Sequence, residues 1–394
     1  MDKIDNLITF YFLLGFQHLE IRLFLSNHHV QISERQLKRR LQKLELFRRK
    51  NYSNVNDIID FIYKQIQTSG NLHGYKWMHL RCIQSGLRVK QKTVRQLLKL
   101  VDPEGVACRT RRRLQRRQYS NRGPNYDKLK PYGISISGCI DGFSRKIIWL
   151  KSSPTCNDPK VIAGFYMKSV ELLKGFPLSL RSDMGTENGA VEKMQIFLRQ
   201  QSTLRLSSLP PFIYGTSQAN QRIESKWSIL RKHNSQYWMN FFFKLKKDSK
   251  FTGSFVDKSL IRFCFLQIIQ KERVQIVEEW DSHKIRKSRN TTSSSGRPLI
   301  MFKFPEIYNA ENHLVEAEIG IINECLEECK FLQAPCDEDV YEMCQIMLSE
   351  RYMSIKPKTV DEAINTYFFK NLIRFFVTGL TIVLLCVMFI IVFM

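Results

Sequence analysis

The sequence predicts an α/β domain with a mixed sheet, preceded by an all-α helix-turn-helix region and followed by a C-terminal transmembrane helix. The α/β reading comes from residues 134–183. There "ISISGCID" and "KIIWLKS" flank the turn residues Gly142 to Arg145 as an antiparallel hairpin, "NDPKVIAGFYMKSVELLKG" reads as a crossover helix, and "PLSLRSD" reads as the strand it leads to. The all-α reading comes from apolar positions at helical spacing in two units before residue 107. The membrane reading comes from residues 375–394, twenty uncharged residues that would make about 30 Å of helix.

Charge narrows the partners. The 394 residues carry 61 Lys and Arg against 37 Asp and Glu, a formal charge of +24, which calls for a polyanion. The excess is placed unevenly, since 25 of the basic but only 9 of the acidic residues lie at or before Arg122. DNA is therefore the expected partner. Hydrophobic residues make up 43% of the chain, enough to bury cores in more than one domain. The ten cysteines follow no signal peptide, so a reducing compartment is expected. Cys325, Cys329, Cys336 and Cys344 lack the spacing of a paired zinc site, and buried free thiols are the preferred reading over zinc.

In the first unit, "SERQLKRRLQKLEL" places Leu37, Leu41 and Leu44 on one face, with Ser33 as N-cap. Its opposite face carries Lys38, Arg39, Arg40 and Lys43, as a recognition helix would after the shorter helix around Glu20 to Leu25. The second unit, "GYKWMHLRCIQSGLRVKQKTVRQLLKLV", is two helices broken at Gly86, the second carrying Val94, Leu97, Leu98 and Val101. The competing reading is a small helical bundle whose basic face is merely solvated. These units define a region 1–107, followed by a basic linker 108–125 in which Arg111, Arg112 and Arg113 track phosphates or form a nuclear localisation signal.

The α/β domain spans 126–305. Asp158 caps the crossover helix, Pro159 opens it, Val161, Phe165 and Leu172 mark its apolar side, and Gly175 stops it. The strand "LSLRSD" ends at Asp183, where α/β folds place ligands. Glu224 lies in "NQRIESKWSILRK", beside the buried stripe of Ile223, Trp227 and Leu230. Singly, Asp183 reads as a turn residue and Glu224 as a solvated helix residue. Together, a strand-end carboxylate and a helix carboxylate can share hard divalent cations, as phosphodiester cleavage requires. Arg222, Lys226 and Arg231 would then meet a DNA backbone.

These motifs carry a resemblance. "RSDMGTENG" is similar to the second-aspartate motif of the integrase catalytic core, "QANQRIESKW" to its glutamate helix, and "GCIDGFSRKIIWL" to its second and third strands. Forty residues separate Asp183 from Glu224, close to the family's habit, and residues 280–302 resemble the segment that closes such cores. Residues 1–100 resemble helix-turn-helix regions found before transposase cores, and the nearest likeness is to transposon-derived integrase core domain proteins of animal genomes. The resemblance implies an RNase H-like fold with a five-stranded mixed sheet, an Asp-Asp-Glu triad holding Mg²⁺ or Mn²⁺, and DNA integration by phosphodiester strand transfer.

Asp183 and Glu224 carry over to the second and third positions of that triad, as catalytic and metal-binding residues. The first position has no counterpart. "QYSNRGPNYDKLKPYG" contains no apolar run able to form a central strand, so the first strand is read as missing. Asp127 is the remaining candidate for the first aspartate, with a turn role beside Pro131 and Gly133 preferred, and Asp141 is read as noncatalytic. The expected protein is thus a DNA-binding integrase core protein whose ancestral activity is impaired by loss of the first aspartate. The alternative is a noncatalytic DNA-binding or chromatin-associated protein.

Residues 306–370 are expected to be helical, and Lys370 and Arg374 before the apolar run would hold the bulk on the cytosolic or nucleoplasmic side of a membrane. Nuclear or tail-anchored membrane localisation follows, and the membrane and a homo-oligomer join DNA among the expected partners.

Overall fold

The computed structural model of the chain describes residues 2–111, 127–202, 208–215, 221–287, 294–350 and 356–368. In the amino-terminal part, α1 (Lys3–Leu13), α2 (His18–Asn27) and α3 (Glu34–Lys43) enclose one small core. Ser33 accepts from the Gln36 amide and Gln36 answers to the Ser33 amide, so α3 starts with a reciprocal capping box. Leu37 and Leu41 are buried and Leu44 packs beside them. α4 (Val55–Ile66), α5 (Tyr75–Gln84) and α6 (Gln91–Val101) form a second core from Ile58, Met78, Val94 and Leu98. Gly86, at φ +85°, makes the turn after α5 that an L side chain would strain. α7 (Pro103–Arg111) runs into the expected linker, most of which lies outside the described residues.

The hairpin is β1 (Ser135–Ile140) and β2 (Ile147–Ser153), antiparallel with a register shift at Cys139/Ile140. α8 (Pro159–Leu173) begins where Asp158 accepts from the Lys160 amide. Its buried face is Val161, Ile162, Tyr166, Met167 and Val170; Leu172 is 83% exposed, opposite to its expected place, because the core sits on the Met167–Val170 side. Lys174, at φ +53°, takes the left-handed position expected of Gly175. Gly175 opens β3 (Gly175–Pro177), where the Val315 carbonyl stands in the space a Cβ would fill.

β4 (Leu180–Ser182) follows, then α9 (Gly189–Gln200), β5 (Phe212–Tyr214) and α10 (Gln221–Leu230). α10 continues through a π-helical segment at Arg231–Ser235 into α11 (Gln236–Lys247). The 28-residue α12 (Phe255–Ser282) is the spine of the largest core, joining the hairpin, α10, α11 and α15 (Glu338–Ser349) through Leu260, Phe265, Ile269 and Ile276. α13 (Pro298–Lys303), β6 (Leu314–Glu316) and α14 (Ile319–Glu327) lie between α12 and α15 in sequence, and a last helical stretch covers 360–368.

Two expectations are corrected. In place of a five-stranded mixed sheet, the described residues form three two-stranded ladders: β1 with β2, β3 with β6, and β4 with β5, only the last parallel. Among the described residues, Asp127–Tyr132 ahead of the hairpin is a 3₁₀ turn containing Pro131, and no strand joins the hairpin to β4. The helical region 306–370 also contains β6, which returns to pair with β3.

The second correction concerns the expected transmembrane helix. Among the described residues no helix is long and apolar enough to cross a membrane. Even α12 buries Asp257, Arg273 and Glu279, whose charges suit packing against other helices and not lipid. Residues 375–394 lie outside the described residues. The four clustered cysteines divide between two cores, Cys325 and Cys329 beside α8, Cys336 and Cys344 beside α12.

Candidate active site and nucleic-acid interface

Asp183 stands immediately after β4, whose parallel pairing with β5 is extended by the Gly215 amide donating to the Ser182 carbonyl at 2.8 Å. The Asn188 side-chain amide donates to Asp183 Oδ1 at 3.1 Å, fixing the carboxylate over the turn. Glu187 is buried beside it, folded over Gly185 so closely that a Cβ there would collide with the Glu187 carboxylate. Partial burial pushes the Asp183 carboxyl above its ordinary value, and the nearby Glu187 charge adds to the rise.

Glu224 sits in the first turn of α10. Burial raises its carboxyl, and the Asp183 charge adds to the rise. α10 is held to the hairpin because Gly138 has no side chain. A Cβ at Gly138 would lie 2.8 Å from the Trp227 ring. The two carboxylates expected at the second and third positions thus lie at the end of β4 and in the first turn of α10, within electrostatic range of one another.

The third carboxylate beside Asp183 is Glu187, which is not the one expected at the first position. Among the described residues no group of three or more His, Cys, Asp or Glu could hold a metal ion. Asp127 begins the 3₁₀ turn, and its side chain lies outside the described residues. Asp141 is engaged in the hairpin turn, accepting from the Ser144 amide and hydroxyl at 2.6 Å each. Two carboxylate oxygen donors suit Mg²⁺ or Mn²⁺, which bind through one or two carboxylates with water and phosphate completing the shell. They do not suit a two-metal clamp.

The basic residues separate into groups. Arg39 and Lys43 are exposed on α3, while Lys38 pairs with Glu34 at 2.7 Å. Arg40 ties α3 to α1 through Asp5 at 2.6 Å and Asp2 at 3.1 Å. Arg222 is exposed next to the Gly142 turn, and Arg231 donates to Gln236 at 3.2 Å. Lys226 is 3% exposed, its ammonium 3.1 Å from the Trp280 ring centroid, so it is not presented to a DNA backbone. Burial pulls its ammonium well below the ordinary lysine value. The Arg111 side chain and all of Arg112 and Arg113 lie outside the described residues.

Sequence reasoning passed over Glu187 and Asn188. The signal was present in "DMGTENG", where a tight turn returns the Asn188 amide to the strand end. It also passed over the buried ties that reach α12. Arg81 and Trp77 of α5 both donate to Glu279, and the Trp77 ring stacks on His233 of the π-helical segment with centroids 4.4 Å apart.

Residues 124–298 match the family model of the integrase core domain. No curated protein and no solved structure matches the chain. The matched span contains both interacting carboxylates and the hairpin, and carries with it a DNA-integration-related, RNase H-like function.

Proposed function

We propose that the protein binds DNA through its basic helices and retains, in Asp183 and Glu224, part of an integrase metal site, with strand transfer impaired by loss of the first aspartate. The observation that carries this reading is a strand-end carboxylate and a helix carboxylate within electrostatic range of one another inside an integrase core match. Asp183 and Glu224 would hold Mg²⁺ or Mn²⁺, which supplies activation of the attacking oxygen and charge stabilisation at the leaving oxygen. The Asn188 amide orients Asp183, Trp227 seats α10 against Gly138, and the exposed Arg222 guanidinium at the hairpin turn can receive a phosphate.

A transposon-derived origin accords with the amino-terminal helical units and their basic faces. A noncatalytic DNA-binding role is the second reading, favoured by the 3₁₀ turn at Asp127–Tyr132 where a catalytic first strand would precede the hairpin. Nicking of supercoiled plasmid with Mn²⁺ separates the two. Weak nicking that Asp183→Asn and Glu224→Gln both abolish supports retained chemistry; nicking insensitive to both removes these residues from it. DNA binding without nicking supports the second reading.

The raised carboxyls give the pH direction for metal binding. Because both groups hold protons to higher pH than ordinary carboxylates, Mn²⁺ affinity is expected to climb with pH beyond the usual carboxylate range. Titration calorimetry at stepped pH checks it, and a flat profile would remove protonation of this pair from metal binding.

A further inference from the structure

The two helical units present different outer faces. On α3, Lys38 pairs with Glu34 and Arg40 with Asp2 and Asp5, while Gln36 is spent on the capping box. Its first turn shows the exposed Glu34 to any polyanion. α6 has no acidic residue in its 11 positions. Lys92, Arg95, Gln96 and Lys99, spaced i, i+3, i+4 and i+7, are exposed on one side, and Val94, Leu97 and Leu98 are buried on the other. Gln91 is exposed in the first turn. Among the described residues none of these five outward side chains makes a hydrogen bond or an ion pair. Arg95 is steadied by a ring instead, its guanidinium carbon 5.5 Å from the Tyr75 centroid of α5.

We propose that the units divide the work on DNA: α6 reads base edges in the major groove, and α3 is confined to phosphates. A helix with its side chains is about 10–12 Å across, which matches a groove about 12 Å wide. A face of lysines alone would serve the backbone. The arginine fork of Arg95 suits guanine, and the amides of Gln91 and Gln96 suit adenine, donor and acceptor patterns that phosphates do not require. Gly86 at φ +85° and the Leu87 amide donating to the Cys82 carbonyl at 2.9 Å turn the chain from α5 into α6, as in a helix-turn-helix. α5 is fixed in turn to α12, through Arg81 and Trp77 on Glu279 and the Gln84 amide on the Ser282 hydroxyl at 3.2 Å. The sequence read by α6 is thereby held at a fixed offset from the core that carries Asp183 and Glu224. The inference rests on the DNA reading and is independent of the metal reading.

The test selects duplexes bound by the full chain from a pool with random centres and sequences them. The wild-type protein is expected to enrich a defined motif. Gln91→Ala/Gln96→Ala and Arg95→Lys leave the charge unchanged, and urea midpoints check that both variants fold. Each should bind the enriched duplex at least about tenfold more weakly while holding a mixed-sequence duplex as tightly as wild type. Arg39→Gln/Lys43→Gln should enrich the same motif with weaker binding and a shallower salt slope. Three results would overturn the division of labour while leaving DNA binding in place: the wild-type motif enriched unchanged by both α6 variants, the motif lost in the α3 variant instead, or binding that selects no motif. Absence of binding to any duplex would overturn the DNA reading and this inference with it.

Discussion

Gly138→Ala tests how the candidate site is positioned. The added methyl would lie 2.8 Å from the Trp227 ring and 3.3 Å from Leu150 Cδ1, where ordinary contact begins near 3.4 Å. β1 is paired with β2 at this residue, opposite Leu150, so the ring must yield more than the strand. Overpacking of this kind costs about 1–3 kcal/mol. Trp227 lies on α10 three residues after Glu224, so a displaced ring carries the carboxylate away from Asp183. On the metal role proposed for Glu224, losing the support of a ligand costs about 10–100-fold in affinity. The expected result is a lowered urea midpoint with an unchanged slope, together with at least a tenfold weaker Mn²⁺ isotherm. Gly138→Ala/Trp227→Leu, which removes the ring that clashes, should recover part of the metal affinity even if it recovers less stability. A Gly138→Ala protein with wild-type midpoint and wild-type Mn²⁺ binding would refute the idea that Gly138 seats the glutamate helix.

Three further outcomes follow from buried or exposed charge. Arg81→Met should cost about 3–5 kcal/mol in urea unfolding, because it strands the fully buried Glu279 carboxylate, and Arg81→Met/Glu279→Leu should regain much of that. Burial lowers His233 and His283 to about 4, so their contribution to stability is full above the ordinary 6.5 and is lost as pH falls through 4. His233→Gln should therefore flatten the acid side of the stability profile between those values, and an unaltered slope would count against a neutral buried imidazole. Reversing Arg39 and Lys43 to Glu should lower the salt slope of DNA binding by about 2 or more, whereas Lys226→Met should leave it unchanged; equal effects would contradict the exposure of the first two and the burial of the third.

Local chemistry made several elements readable before any tertiary contact was known. Ser33 and Asp158 announce helix starts because their oxygens satisfy first-turn amides, and both do so. Gly142 to Arg145 marks the hairpin turn because it parts two strand-like runs, and Asp141 closes it by accepting from the Ser144 amide and hydroxyl. What long-range packing decides was not readable. β3 and β6 are three-residue strands joined across more than 130 positions, too short to leave a pattern. Lys226 looks exposed by type, yet Trp280 of α12 covers it and Asp281 lies near enough to favour its charge. The strand ending before Asp183 and the helix bearing Glu224 were legible from local pattern, while the burial of Glu187 was not, since a turn signal does not say which of its side chains faces inward.

The helix carrying Glu224 is fixed at three points. Trp227 lies on Gly138, Lys226 projects onto the Trp280 ring of α12, and α10 then passes into a π-helical segment. That segment is gripped from outside the core: the His233 carbonyl meets His73 Nε2 at 2.9 Å, its ring stacks on Trp77, and Asn234 donates to Glu272 at 2.6 Å. Glu272 and Glu279, one helical face of α12, also receive Ser69 and Arg81 from the second helical unit. Burying Lys226 without a hydrogen-bond partner is unfavourable, so the packing around it must offset the cost. A helix held this way has the backbone at Glu224 placed by protein packing. The geometry on the Glu224 side of the site thus comes from the hairpin, the spine helix and the amino-terminal helices together, and a change in any one of them should be felt at Glu224.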